Sequence, residues 1–135
     1  MKKVHKHSIA LMLLAVLPLL LTGCATLSDA QKARGSGPSR VYAASFEAIW
    51  SAMPAAIATA GLQNVEANKK EGYMLAQRGV TALSYGENVA IFMEPVGKKQ
   101  TKVEVVTKRT WAPSVFAPDW AEPIFAELDK KFKRP

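Results

Sequence analysis

From Leu62 to Arg109 the chain is written in segments of period two separated by short polar connections, a pattern that an antiparallel sheet satisfies and few other folds do. The segments are Leu62 to Asn68, Gly72 to Gly79, Glu87 to Val96 and Thr101 to Arg109. In the third, Val89, Ile91 and Met93 share a face; in the fourth, Val103, Val105 and Thr107 oppose Lys102, Glu104 and Lys108. One face is therefore expected to pack and the other to be wet. The connections around Asn68-Lys69-Lys70-Glu71-Gly72 and Gly97-Lys98-Lys99-Gln100 are short enough for hairpins. Val41-Tyr42-Ala43 adds a short edge strand, for four to five strands in all.

A one-sided sheet needs a cover, and two stretches supply it. Phe46, Ile49, Trp50, Met53 and Ile57 recur at helical steps, with Ser45 as N-cap and Glu47 in the first turn, so a helix is expected from there to near Gly61. Pro54 lies inside that helix, removes a hydrogen bond to the Trp50 carbonyl, and is expected to bend it. Trp120, Ile124, Leu128 and Phe132 mark a second helix near the C-terminus. Asp119 and Glu122 have capping-box spacing, while Pro123 offers an alternative first helical residue. The expected fold is α+β: an antiparallel four- to five-stranded sheet packed by an N-terminal amphipathic helix, with a C-terminal helix against the same sheet or its edge. Between sheet and last helix, Thr110 to Pro118 carries prolines that interrupt regular structure. Its apolar residues Trp111, Val115 and Phe116 are expected to contribute to an interaction surface, or else to fold back and cap the core.

The N-terminus has a different grammar. Lys2, Lys3 and Lys6 precede 13 uncharged residues from Ile9 to Leu21, the anatomy of a secretory signal peptide and too short a run to span a bilayer. Leu21-Thr22-Gly23-Cys24 follows and resembles the bacterial lipobox, in which the cysteine thiol accepts a diacylglyceryl group before cleavage. That resemblance implies a signal peptide over residues 1–23, with Leu21, Thr22 and Gly23 read by the peptidase and Cys24 the lipidated first residue of the mature chain. Residues 24–40 read as lipidated cysteine and flexible tether, ending in Gly35-Ser36-Gly37-Pro38-Ser39, and residues 41–135 as a single domain. A tether of that length has a root-mean-square span of about 20 to 24 Å. Two ester-linked chains and one amide-linked chain on Cys24 would anchor the protein to a membrane. Ala25, where Gram-negative inner-membrane lipoproteins usually carry Asp, implies sorting to the periplasmic face of the outer membrane; in a Gram-positive cell the same signal implies the outer face of the plasma membrane.

Composition then removes several kinds of chemistry. Both histidines, His5 and His7, lie in the signal, and Cys24 is the sole cysteine, so the mature chain is left without imidazole catalysis, imidazole metal ligands or a disulfide. The formal charge of +7 falls to +4 once the three signal lysines are removed, and the bases are scattered in pairs with no aromatic platform, against nucleic-acid binding. Serines lack a nucleophile motif, and Glu66, Glu71, Glu87, Glu94 and Glu104 lie in or beside strands, where outward-facing carboxylates are routine. The expectation is no enzyme, no cofactor and no metal site.

The run Tyr42-Ala43-Ala44-Ser45-Phe46-Glu47-Ala48-Ile49-Trp50-Ser51-Ala52, followed by Gly61-Leu62 and Gly72-Tyr73-Met74-Leu75-Ala76, resembles small bacterial envelope lipoproteins of uncharacterised function. In these a helix opening on an aromatic, Glu and Trp precedes a curled antiparallel sheet. More remotely, the chain is similar to the helix-grip domains of the lipoprotein C component of the outer-membrane β-barrel assembly machine. The resemblance spans roughly residues 41 to 109 and rests on core positions, so it implies fold rather than activity. The expected function is a lipid-anchored, non-catalytic envelope module with a protein partner in the periplasm. The alternatives are a binder of lipid or another apolar ligand between helix and sheet and, third, a hydrolase.

Overall fold

A computed structural model of the chain describes residues 26–79, 86–109 and 119–135. Among them, five strands form one antiparallel sheet: β1 (Ser39–Tyr42), β2 (Gln63–Asn68), β3 (Tyr73–Arg78), β4 (Glu87–Pro95) and β5 (Thr101–Arg109), in the spatial order β1-β5-β4-β3-β2. From β2 to β5 the sheet is a meander between sequence neighbours, and β1 joins from far upstream by pairing Ser39 with Glu104 and Tyr42 with Thr101. The long central strands match β4 to β5 from Glu87↔Arg109 to Pro95↔Thr101. At the β2–β3 turn Gly72 takes φ +69, and a Cβ there would stand 2.5 Å from the Met93 carbonyl oxygen, so the turn requires glycine.

Helix α2 (Phe46–Thr59) covers one face. Ser45 caps it, its Oγ accepting the Ala48 N–H, and Ile49, Met53, Ala56 and Ile57 are buried against Met74, Ile91, Met93 and Val103. The helix runs unbroken through Pro54, whose ring lies on the exposed side where the sheet does not depend on its geometry. Helix α3 (Ala121–Asp129) joins the same core through Trp120, Ile124, Phe125 and Leu128. Its start differs from the capping box: Trp120 is the N-cap without a side-chain bond, and the Asp119 carboxylate accepts the Ala121 N–H instead. Phe132 lies beyond the helix and packs from there, edge-on to Tyr42 with ring centroids 6.4 Å apart.

The opposite face is where structure and expectation part. Rather than being wet, it carries a second core of Ala30, Tyr73, Leu75, Ala90, Phe92 and Val106. What covers it is the stretch expected to be tether. Helix α1 (Leu27–Lys32) opens with a reciprocal capping box between Thr26 and Asp29 and lays Leu27, Ala30 and Ala33 on the sheet. The Gly35-Ser36-Gly37 loop then turns the chain into β1. Tether is thus the wrong description from Thr26 onward, because these residues bury apolar surface and satisfy their backbone groups, which a solvated linker does not.

Candidate functional site

The loop after α1 is held by an unexpected group. Glu104 belongs to the polar side of β5 by alternation, yet it is only 4 % exposed, and its Oε1 accepts the N–H of Gly35 at 2.7 Å and of Gly37 at 2.9 Å. A buried carboxylate costs free energy unless charge-assisted hydrogen bonds replace its water, and the two backbone donors do so. Gly37 has no alternative at this point, since a Cβ would sit 2.2 Å from the Val105 carbonyl oxygen. Arg34 completes the strap: its guanidinium lies 4.5 Å above the Phe92 ring and donates to the Glu71 carbonyl at 2.9 Å.

A second polar cluster ties β1 to α3. Arg40 forks onto both carboxylate oxygens of Glu122 and onto Asp129, with its guanidinium 4.5 Å above the Phe125 ring. Tyr42 donates its hydroxyl to Asp129 Oδ1 at 2.9 Å, and Arg134 reaches the same carboxylate. Burial, first, and the bond to Asp129 push the Tyr42 hydroxyl well above the usual phenol range. The Arg134 hydrogen bond, first among the causes, and the Tyr42 hydroxyl hold the Asp129 carboxyl below the usual carboxylate range, against a smaller opposing effect of burial. Tyr73, whose hydroxyl donates to Glu66 at 2.6 Å, is raised chiefly by that bond, and Asp29 is lowered chiefly by its backbone and side-chain bonds to Thr26. Each perturbed side chain is accounted for by a contact that holds two elements together or caps a helix. Among the described residues there is no group of three or more His, Cys, Asp or Glu placed to hold a metal ion.

Two open hollows lie among the described residues. One, of about 310 Å³, lies at the turn end of the sheet between Phe46, Gly72, Met93 and the charged residues Arg34, Lys69 and Glu94; Lys69 is paired with Glu47 at 2.6 Å. The other, of about 480 Å³, opens beside Pro38, Thr107, Arg109 and Asp119, where residues 110–118 leave and rejoin the described chain. The space between helices and sheet is filled by the protein's own side chains, Tyr42, Met53, Ile91, Val105 and Ile124 among them.

The sheet edges are unequal. β1 is four residues long and crowded by α3 and the C-terminal residues, with the Ala43 N–H donating to the Lys133 carbonyl at 2.8 Å. Among the described residues β2 pairs with β3 alone; its residues are exposed from Gln63 to Ala67, and Val65, 52 % exposed, sits at a bulge between Asn64 and Glu66. An apolar side chain on an open edge was not legible from the weak alternation of that segment. The residues expected to matter most, Leu21, Thr22, Gly23 and Cys24 at the lipobox and Trp111, Val115 and Phe116 before α3, lie outside the described residues. No described helix is long and apolar enough to cross a membrane. In comparisons with known proteins, no family model and no curated protein matches the chain.

Proposed function

We propose that this protein is a lipid-anchored, non-catalytic module of the cell envelope that binds a protein partner, with Cys24 as the anchor and the outer edge of β2 as the docking element. The observation that carries the reading is the asymmetry of the edges: β1 is short and crowded, whereas β2 is the outer strand of the described sheet and presents an exposed Val65 to an incoming extended segment. Two further features support it. The perturbed titratable groups are committed to structural contacts, and the volume between helices and sheet that an apolar ligand would need is occupied by the core.

The test is a photo-crosslinking residue placed at position 65 in intact cells, with position 41 on the opposite edge as comparison. Adducts to a discrete protein at 65 and none at 41 are the expected result; absence of any adduct at 65 would sink the docking element. Val65→Lys should abolish the adducts formed from Gln63 while changing the stability of the purified domain by no more than about 0.5 kcal/mol. The anchor is tested separately: Cys24→Ser protein that is still cleaved yet remains membrane-bound after a salt wash would overturn it.

A further inference from the structure

Resting on the reading of Cys24 as the anchor, we infer that the α1-covered face of the sheet is turned toward the bilayer and held close against it, so that the lipid surface is this protein's second interaction partner. The argument is one of chain length. A loose tether from Cys24 to Arg40 would let the domain stand off by some 20 to 24 Å and tumble freely. Thr26 instead caps α1, and α1 is fixed to the sheet by Leu27, Ala30 and Ala33 below it and by the Glu104 clamp behind it. Only Ala25 lies between the lipidated residue and the capping residue. Two extended steps reach about 7 Å, so the backbone of Thr26 stays within that distance of Cys24, whose acyl chains place it at the headgroup level.

The layering converts this short link into an orientation. α1 lies on one face of the sheet and α2 and α3 lie on the other, so the exposed side of α2 stands some 20 Å farther from the anchor than α1 does, with packed layers about 10 Å apart. The charges around α1 are mixed: Lys32 is exposed and Lys102 and Lys108 flank the helix on the same face of β5, while Asp29 is engaged with Thr26, Glu104 with the N–H groups of Gly35 and Gly37, and Glu94 stands across from Lys102. Headgroups of either charge type are accommodated, since the orientation follows from the short link rather than from a charged patch. The geometry also leaves the β2 edge at the side of the domain, clear of the bilayer and open to a protein.

The experiment uses the full-length lipidated protein in vesicles carrying a headgroup nitroxide lipid, with a fluorophore on Lys32→Cys or on Ser51→Cys, an exposed position of α2. Quenching several-fold stronger at 32 than at 51 is expected, in zwitterionic as well as anionic vesicles; equal quenching, or stronger quenching at 51, overturns the inference. A 15-residue Gly-Ser insert after Ala25 should bring the two positions together, and a difference that survives the insert refutes the short link as its cause. Mass spectrometry of each preparation separates the two levels of the argument: unacylated Cys24 defeats the anchor and this inference with it, whereas acylated protein without the positional difference defeats the inference alone.

Discussion

Two carboxylates do different work in this fold. Glu104 binds backbone, and its removal leaves the N–H groups of Gly35 and Gly37 with no acceptor in a part-buried site. Glu104→Ala should cost about 1.5 to 3 kcal/mol and open residues 26–38 to protease, while Glu104→Gln, whose amide oxygen still accepts, should retain most of the stability. Denaturant unfolding and the position of the first proteolytic cut check both. Asp129 binds side chains, and its carboxyl is held below the value of about 3.9 that it has in an unfolded chain. Its contribution is therefore complete above that value and lost as pH falls through the lower folded one. Asp129→Asn should be less stable than the parent at pH 7 by about 1 kcal/mol, with the gap closing below about pH 4 in paired thermal melts. Neither role is written locally in the sequence. Glu104 alternates with apolar residues as any solvated strand residue does, and only a loop 67 positions away supplies the donors that make it a core residue.

At the level of elements, what was legible was what repeats. β3, β4 and β5 lie within a residue of their expected bounds because period-two alternation over six to nine residues leaves little choice of face. α2 was legible from its apolar stripe for the same reason. α1 was not, because six residues make fewer than two turns, and Leu27, Ala30 and Ala33 are too few to declare a period. The signal that existed was the Thr26-x-x-Asp29 spacing of its capping box, a cap with Asp where Glu or Gln is usual. Without α1 the face bearing Ala90, Phe92 and Val106 reads as solvent-facing, because these apolar residues need a cover from outside the sheet. Pro54 lies inside α2 without splitting it, and the unbroken helix gives a prediction. Pro54→Ala restores a backbone donor on the solvent side without touching the core, and should stabilise the domain by about 1 to 2 kcal/mol, the helix gain exceeding the added freedom of the unfolded chain. A higher urea midpoint at unchanged slope is the measurement.

Across the whole molecule, contacts divide into near and far. β2 to β5 pair with sequence neighbours, and α2 packs on the strands that follow it, whereas β1 and α1 meet β5 from about 60 to 80 residues upstream. Closing that distance costs chain entropy before any contact repays it, so the meander should form in the transition state and the strap after it. Glu104→Ala is then expected to speed unfolding while leaving refolding nearly unchanged in stopped-flow chevrons; slowed refolding would place the strap in the nucleus instead.

The pairing of β1 with β5 also makes the seating of the earlier strand a report on the later one. β1 is synthesised before its seat, which is made by Thr101 to Glu104 and by Val105. A chain that stops short of β5 has nowhere to lodge β1, so damage to the later strand is displayed at the earlier one as a loose, cleavable segment.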